Sequence, residues 1–85
     1  MKISYANEFK KKINFLPARV KRIFQKQEKI FSENWKDPRL HIKKLRGYDN
    51  TFSFRITRQY RVLFSLTEDD LAFFVSAGHR KDVYD

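Results

Sequence analysis

Residues 52–78 read FSFRITRQYRVLFSLTEDDLAFFVSAG, and this stretch decides the fold. Apolar and polar or small side chains alternate along three runs, 52–57, 60–67 and 71–78, and the acidic turn 68–70 separates the last two. Alternation with a period of two is typical of strands that bury one face. Because the connections between the runs are short, the stretch predicts an antiparallel meander of three strands.

The alternation also predicts which side chains each strand directs towards the core. The inner set is apolar and comprises Phe52, Phe54, Ile56, Tyr60, Val62, Phe64, Leu66, Leu71, Phe73, Val75 and Ala77. The outer set is small, hydroxylic or basic and comprises Ser53, Arg55, Thr57, Arg61, Ser65, Ser76, Gly78 and Arg80. We therefore expect one face that packs on a second layer and one shallow exposed face that carries three arginines.

Two helices are predicted before the meander. Phe9, Ile13 and Leu16 are spaced as one face of a first helix, and Pro17 separates it from a second. The second helix has the longer apolar face, which consists of Val20, Ile23, Phe24, Gln27, Ile30 and Phe31. Its pattern ends before Pro38, since the residue before a proline disfavours helix. Helices joined this closely form an antiparallel hairpin.

The predicted fold class follows from these elements. Residues 2–5 form a short opening strand, so the order is β-α-α-β-β-β. We expect an α+β two-layer sandwich, with the helical hairpin packed on a mainly antiparallel sheet. With 85 residues, the chain has the length of a single domain, 1–85.

Composition narrows the functional classes. The chain has 41% hydrophobic residues, which excludes disorder along its whole length, and no cysteine, which excludes a disulfide or a zinc–thiolate site. No apolar run approaches the roughly 18 residues of a membrane span, and no signal-peptide pattern follows Met1. We therefore expect a cytoplasmic protein with no membrane partner. The motifs of phosphate-binding loops and dinucleotide folds are absent, and two histidines make no metal site, so no cofactor or metal is expected.

The charge is strongly basic and uneven. There are 19 lysines and arginines against 10 acidic residues, a net charge of +9. Residues 1–46 hold 14 of the basic and 4 of the acidic side chains. Such an excess is typical of polyanion binders, and we expect Lys10, Lys11, Lys21 and Lys26 to contact RNA. The alternative is that these lysines only solvate the outer side of the helices.

Arg61 and Arg80 are the first candidates for a reactive site. Both belong to the predicted outer face, and a guanidinium binds phosphate through two parallel hydrogen bonds. Nearby, His79 and Tyr84 offer an imidazole and a phenol for proton transfer. Strict alternation directs His79 away from Arg61, so it can join the site only if the strand end twists or bulges. The alternatives are solubilising arginines, a loop histidine and a tyrosine that anchors the tail.

Three motifs carry a resemblance to a known family: KKLRG at 43–47, YRVLF at 60–64 and AGHRKDVY at 77–84. In this order the chain resembles the RelE/ParE toxin superfamily, and most of all the RelE-type mRNA interferases of type II toxin–antitoxin systems. The resemblance covers essentially the whole chain. It implies a RelE-like fold, metal-independent cleavage of mRNA on the ribosome, and a cognate acidic antitoxin that covers or distorts the site.

The resemblance also implies roles for individual residues. The mid-strand arginine of the family falls on Arg61, the last-strand arginine on Arg80 and the C-terminal tyrosine on Tyr84. A lysine pair found in some members would fall on Ser53 and Arg55; Arg55 can bind but cannot act as a base, because arginine is not deprotonated in proteins.

Other members carry a C-terminal histidine, for which His79 is the counterpart. Lys44, Arg46 and Arg55 would hold the RNA backbone. Two alternatives remain from other functional classes: a ParE-like inhibitor of DNA gyrase without nuclease activity, and a non-catalytic RNA-binding domain.

Overall fold

A computed structural model describes residues 1–83 of the chain. In chain order the elements are strand β1 (Lys2–Tyr5), helices α1 (Asn7–Asn14) and α2 (Ala18–Glu33), strands β2 (Lys43–Lys44), β3 (Thr51–Arg55), β4 (Tyr60–Leu66) and β5 (Leu71–His79), and helix α3 (Arg80–Val83). A 3-10 turn, Pro38–Leu40, lies between α2 and β2. The predicted α+β order is confirmed, and the structure adds β2 and α3 to it.

The sheet has five strands in the order β1-β5-β4-β3-β2. β2, β3, β4 and β5 pair antiparallel with their neighbours, whereas β1 pairs parallel to β5, from Lys2 opposite Leu71 to Tyr5 opposite Phe74. The first and last strands of the chain are therefore direct neighbours. Within residues 1–83, no helix is long and apolar enough to cross a membrane.

Helix α2 covers the inner face of the sheet as its periodicity predicts. Its buried side chains are Val20, Phe24, Gln27, Ile30 and Phe31, and Ile23 packs against the same core at its margin. Pro17 occupies the N-cap of α2, so the helical hairpin turns where the sequence places the break. The helix ends at Glu33 because Asn34 adopts an extended conformation shortly before Pro38.

A cluster of phenylalanine rings joins the two layers, and Phe31 lies at its centre. The Phe31 ring centroid lies 5.2 Å from that of Phe54, 4.9 Å from that of Phe64 and 5.2 Å from that of Phe74. All four side chains have no solvent exposure. The Phe31 ring meets the rings of Phe64 and Phe74 edge to face. This geometry stabilises the cluster beyond the effect of buried apolar area. One helical side chain thus contacts three neighbouring strands.

The predicted orientation of the first half of β5 is wrong. The sequence alternation directs Leu71, Phe73 and Val75 towards the helices, but the structure buries Ala72 and Phe74 completely instead. The three residues predicted to be inside are only half-buried. Consequently the outer face, which is the sheet surface opposite the helices, is more apolar than its predicted set of small and hydroxyl residues.

The physical reason is a β-bulge. Phe74 pairs with Phe64 and Ser76 pairs with Leu63, so Val75 is an extra residue with no partner of its own. An extra residue reverses the alternation on one side of it relative to the other. After the bulge Ala77 faces the core, as predicted, and is 2% exposed.

Tyr5 at the end of β1 ties the edge of the sheet to α2. Its hydroxyl donates a hydrogen bond to Oε2 of Glu28, and its ring packs on Phe9 and Phe74. Burial of the phenol, together with the hydrogen bond and the negative charge of Glu28, raises the pKa of Tyr5 to about 12. The folded protein therefore favours the neutral phenol.

The bulge can be tested by comparing two adjacent phenylalanines. Phe74→Ala removes a completely buried ring and should lower the free energy of unfolding by about 3–5 kcal/mol. Phe73→Ala removes a half-buried ring of the outer face and should cost less than half as much. Urea denaturation of the two variants measures both values. An equal loss, or the reverse order, would contradict the assignment of Phe74 to the core.

The raised pKa of Tyr5 predicts a loss of stability at alkaline pH. A neutral phenol contributes fully below its unfolded-state pKa of 10.0, and this contribution disappears as the pH rises to about 12. In a spectrophotometric titration, the difference between the native chain and Tyr5→Phe should show one phenol that ionises near pH 12. Glu28→Gln should lower this pKa only in part, because burial remains. Ionisation of that phenol near pH 10 would show that the contact does not form.

Candidate functional site

Two arginines lie side by side on the outer face. Arg55 at the end of β3 is directly opposite Arg61 on β4, and Arg61 is directly opposite Gly78 on β5. Facing residues of antiparallel strands have Cα atoms about 4.5–5.5 Å apart and side chains on the same face. Within residues 1–83, no carboxylate forms an ion pair with either guanidinium; the ion pair there joins Arg39 and Asp37. Arg55 and Arg61 therefore concentrate positive charge on the outer face.

The turn between β3 and β4 orients Arg61. Its Nη1 donates to the carbonyl oxygen of Thr57 at 3.4 Å. The Thr57 hydroxyl in turn accepts from the backbone N–H groups of Gln59 and Tyr60, at 3.2 and 3.3 Å. A guanidinium has five N–H donors, so this long contact, the one that Arg61 makes as a donor within residues 1–83, directs the side chain and leaves its other donors for a ligand. An arginine that binds an anion needs a defined side-chain orientation and N–H donors that can contact the anion.

Gly78 provides space beside Arg61 for helix α3. A Cβ atom at Gly78 would lie 3.3 Å from Cγ2 of Val83, tighter than nine in ten real Cβ contacts, so Val83 would have to shift. Val83 also lines, with Leu63 and Val75, an open cavity of about 300 Å³ that reaches Leu45 and Tyr48. Helix α3 thus lies across this end of the outer face.

The prediction that Arg80 ends the last strand is wrong. β5 ends at His79, and Arg80 is the first residue of α3. Its backbone N–H donates to the carbonyl oxygen of Gln59 at 2.7 Å, which bends the chain from strand to helix beside the β3–β4 turn. The Arg80 side chain is exposed. Its backbone follows Gly78 by two residues, so it begins close to Arg61 without belonging to the alternation of β5.

His79 lies on the face opposite to the arginines. It pairs with Tyr60, whose ring centroid is 5.5 Å away, and it lines a groove of about 560 Å³ with Glu8, Lys12 and Phe15. Its Nδ1 accepts a hydrogen bond from the Lys81 N–H at 3.2 Å, so the neutral ring carries its proton on Nε2. The bulge lies before Ser76 and does not bring His79 to the outer face.

Two further predictions concern Tyr84 and Ser53. Tyr84 lies outside the described residues. Ser53 is on the outer face by register, but it is only 1% exposed and therefore does not form part of an open dish of hydroxyl groups. β2 and β4 flank it, with Lys43 opposite on one side and Leu63 on the other.

Apart from Arg55, the lysines and arginines predicted to bind RNA fall into two groups. Lys10 and Lys11 on α1 and Lys21 and Lys26 on α2 belong to the helical layer, and all but the half-buried Lys21 are exposed. Lys44 and Arg46 are exposed at the β2 edge of the sheet. Of all these predicted residues, Arg55 alone pairs directly with Arg61.

Sequence patterns did not identify Lys43. Lys43 pairs with Ser53, so its side chain belongs to the outer face. Ser53 stands where some family members carry a lysine, and Lys43 lies next to that position. β2 is only two residues long, so no alternation could reveal this orientation. The signal that was available is its position in the KKLRG motif.

Comparison with known proteins establishes the family. No protein-family model matches the sequence. Toxin RelE3 from Methanocaldococcus jannaschii is 33% identical over 89 aligned positions, which cover 100% of this chain and 97% of that protein. This chain belongs to the RelE toxin family.

Solved structures agree with this assignment of the RelE-family chain. The RelB–RelE antitoxin–toxin complex from Methanococcus jannaschii matches with a TM-score of 0.80 and 25% identity, over 96% of this chain and 95% of that one. YafQ from E. coli strain BL21(DE3) also matches with a TM-score of 0.80, over 99% and 98% of the two chains. At 15% identity, the likeness to YafQ concerns the fold alone.

The Arg55–Arg61 pair should weaken the fold of this RelE-family toxin. Like charges directly opposite in a sheet are destabilising by about 0.2–1 kcal/mol. Arg55→Met keeps the aliphatic stem and removes the charge, so the free energy of unfolding should rise by this amount at low salt and by less in 1 M NaCl. Urea denaturation at both salt concentrations measures the change.

Arg22→Met is the matched control, because Arg22 is an exposed arginine of α2. It should change stability little at either salt concentration. A loss of stability confined to Arg55→Met would show that the two guanidiniums do not repel each other.

Proposed function

We propose that this toxin is a metal-independent endoribonuclease that cleaves mRNA on the ribosome and thereby stops translation in the cytoplasm. The observation that carries the proposal is the pair Arg55 and Arg61, two adjacent cations without a carboxylate partner within residues 1–83. A pentacoordinate phosphate gains negative charge as it forms, and preorganised guanidiniums stabilise that charge. Membership of the RelE family supports the same activity.

The chemistry uses the substrate's own 2′-hydroxyl group. Its oxygen forms a bond to the adjacent phosphorus while the bond to the 5′-oxygen breaks, and the proton lost by the 2′-oxygen is balanced by one gained by the leaving oxygen. In this proposal Arg61 and Arg80 stabilise the charge, and Arg55 with Lys44 and Arg46 holds the backbone in line.

Proton transfer is assigned to the C-terminal segment. Arginine is not a base in proteins, and the pairing of His79 with Tyr60 keeps it off the face of Arg61. Tyr84 follows α3, which lies across the outer face beside Gly78, so we assign proton transfer or base stacking to Tyr84 before His79. The exposed ammonium of Lys43 is a further donor on this face.

The proposed partners are a cognate acidic antitoxin, the ribosome and its mRNA. The solved relative from Methanococcus jannaschii is a complex of toxin with RelB antitoxin. A net charge of +9 favours an acidic protein and RNA alike. The basic helical layer, with Lys10, Lys11, Lys21 and Lys26, is assigned to ribosomal RNA because it faces away from the arginine pair.

Brief induction followed by primer extension on cellular mRNA tests the proposal. The native chain should produce discrete cleavage sites within translated sequences, and co-expression of the acidic protein from a neighbouring gene should remove them. Intact mRNA together with inhibited DNA supercoiling would favour the gyrase inhibitor instead. Intact mRNA with retained RNA binding would favour a non-catalytic RNA-binding domain.

Arg61→Ala should lower the rate of cleavage of ribosome-bound mRNA by about 10²–10³, the usual effect of losing one transition-state contact. Arg61 is only partly buried and does not belong to the core, so unfolding should change little. Arg22→Ala, which removes a charge from the helical layer, should retain the native rate on saturated ribosomes. Full activity of an Arg61→Ala, Arg80→Ala double variant would refute the nuclease assignment.

A further inference from the structure

A basic cavity opens beside the pair Arg55 and Arg61, at the edge of the sheet. It has a volume of about 520 Å³ and is lined by Gln27, Arg39, His41, Arg55, Ile56, Thr57 and Arg58. β2 pairs with β3 only as far as Ser53, so the end of β3 has no neighbouring strand on this side. The cavity lies where that strand is missing, and we call it the edge cavity.

Gln27 builds the edge cavity. Its side chain is 8% exposed, and its Nε2 donates to the carbonyl oxygens of Arg39 at 3.2 Å and Arg55 at 2.9 Å. A buried amide that bridges two backbone segments fixes their separation, because breaking either bond leaves a polar group without a partner. The backbone positions of Arg39 and Arg55 are therefore set before any ligand arrives.

The charges of the edge cavity select an anion. Among residues 1–83, its lining contains three arginines and no carboxylate. Arg39 is held by a two-point contact with Asp37, at 3.0 and 2.8 Å, and this contact lowers the pKa of Asp37 to about 2, so the pair stays ionised. Asp37 and Glu33 both act electrostatically on Arg39, so three guanidiniums against two carboxylates leave one positive charge in excess. The forked donors of arginine match the oxygens of a phosphate.

The edge cavity is continuous with the candidate catalytic face. Arg55 lines the cavity and also pairs with Arg61 across the strands. Thr57 lines it as well, and its carbonyl oxygen accepts the hydrogen bond from Arg61. A nucleic acid strand with one phosphate at Arg61 therefore meets the cavity as it passes over the edge of β3.

We propose that the edge cavity binds a phosphodiester of the mRNA next to the reacting one, through Arg58, Arg39, His41 and Arg55. This inference rests on the proposed function and adds a subsite that binds the RNA backbone. In the part of the chain that the structure describes, no phenylalanine, tyrosine or tryptophan lines the cavity, and its histidine and arginines are the side chains assigned to phosphate. The subsite contacts the RNA backbone and contributes affinity without sequence preference.

Binding of a short single-stranded RNA tests the subsite without requiring cleavage. The probe is a fluorescent oligoribonucleotide with a 2′-deoxy position that blocks the reaction, and anisotropy is measured over a series of salt concentrations. Arg58→Gln should weaken binding about tenfold, as expected for one charged hydrogen bond. The slope of log K against log salt should fall by about 0.7 for one lost phosphate contact.

The control and a second variant keep the result specific. Arg19→Gln removes an exposed charge at the start of α2, about two helical turns before Gln27 and outside the cavity lining, and should leave affinity and slope unchanged. His41→Asn suits the left-handed backbone at His41, where φ is 50°, and should weaken binding by removing the imidazole contact while leaving the slope unchanged. Native affinity and slope in both cavity variants would overturn the subsite.

Cleavage on the ribosome separates this proposal from the nuclease assignment. Both cavity variants should raise KM and leave kcat at the native value, because the subsite binds a phosphate that does not react. A lower kcat with native KM would overturn the subsite, since the cavity would then act on the reacting group. If the native chain binds the probe through Arg58 but cleaves no mRNA, the subsite stands and the nuclease assignment fails.

Discussion

The extra residue in β5 determines which side chains the sheet gives to its core and which to its outer face. Val75 has no partner on β4, and on either side of it the alternation runs in opposite senses. Before it, Phe74 is directed onto Phe31 and completes the aromatic cluster. After it, Gly78 is directed outwards beside Arg61. Without the bulge, a strand that fills the core with Phe74 would direct Gly78 inwards, and α3 would lose its close approach to the sheet.

Most of the fold could be predicted from sequence periodicity, because long helical and alternating patterns leave few choices. The six-residue face of α2 and the alternation of β4 identify buried side chains of those elements, whereas β3 buries Ser53 as well as Phe54. In β5 the same method fails for a physical reason. Leu71 and Phe73 are as apolar as Ala72 and Phe74, so both faces of the strand satisfy the pattern. Only the packing against Phe31 decides between them.

The candidate site, too, could be predicted from the sequence only in part. Alternation placed Arg55 and Arg61 on one face and His79 on the other, and the register agrees with both placements. It could not foresee that Arg80 begins a helix, because the change from strand to helix depends on a contact with Gln59. Lys43 and the edge cavity were hidden for another reason. A two-residue strand has no detectable period, and Gln27 joins segments that are far apart in the chain.

The parallel pairing of β1 with β5 bears on how this toxin folds. Lys2 lies opposite Leu71, 69 positions further along the chain. A contact between the two ends of a chain forms only after the intervening loop is closed, and such contacts form late and slowly. Phe74, which β1 helps to seat, is also the residue that closes the aromatic cluster. We therefore expect the pairing of β1 with β5, and with it the final packing of Phe74, to form late in folding.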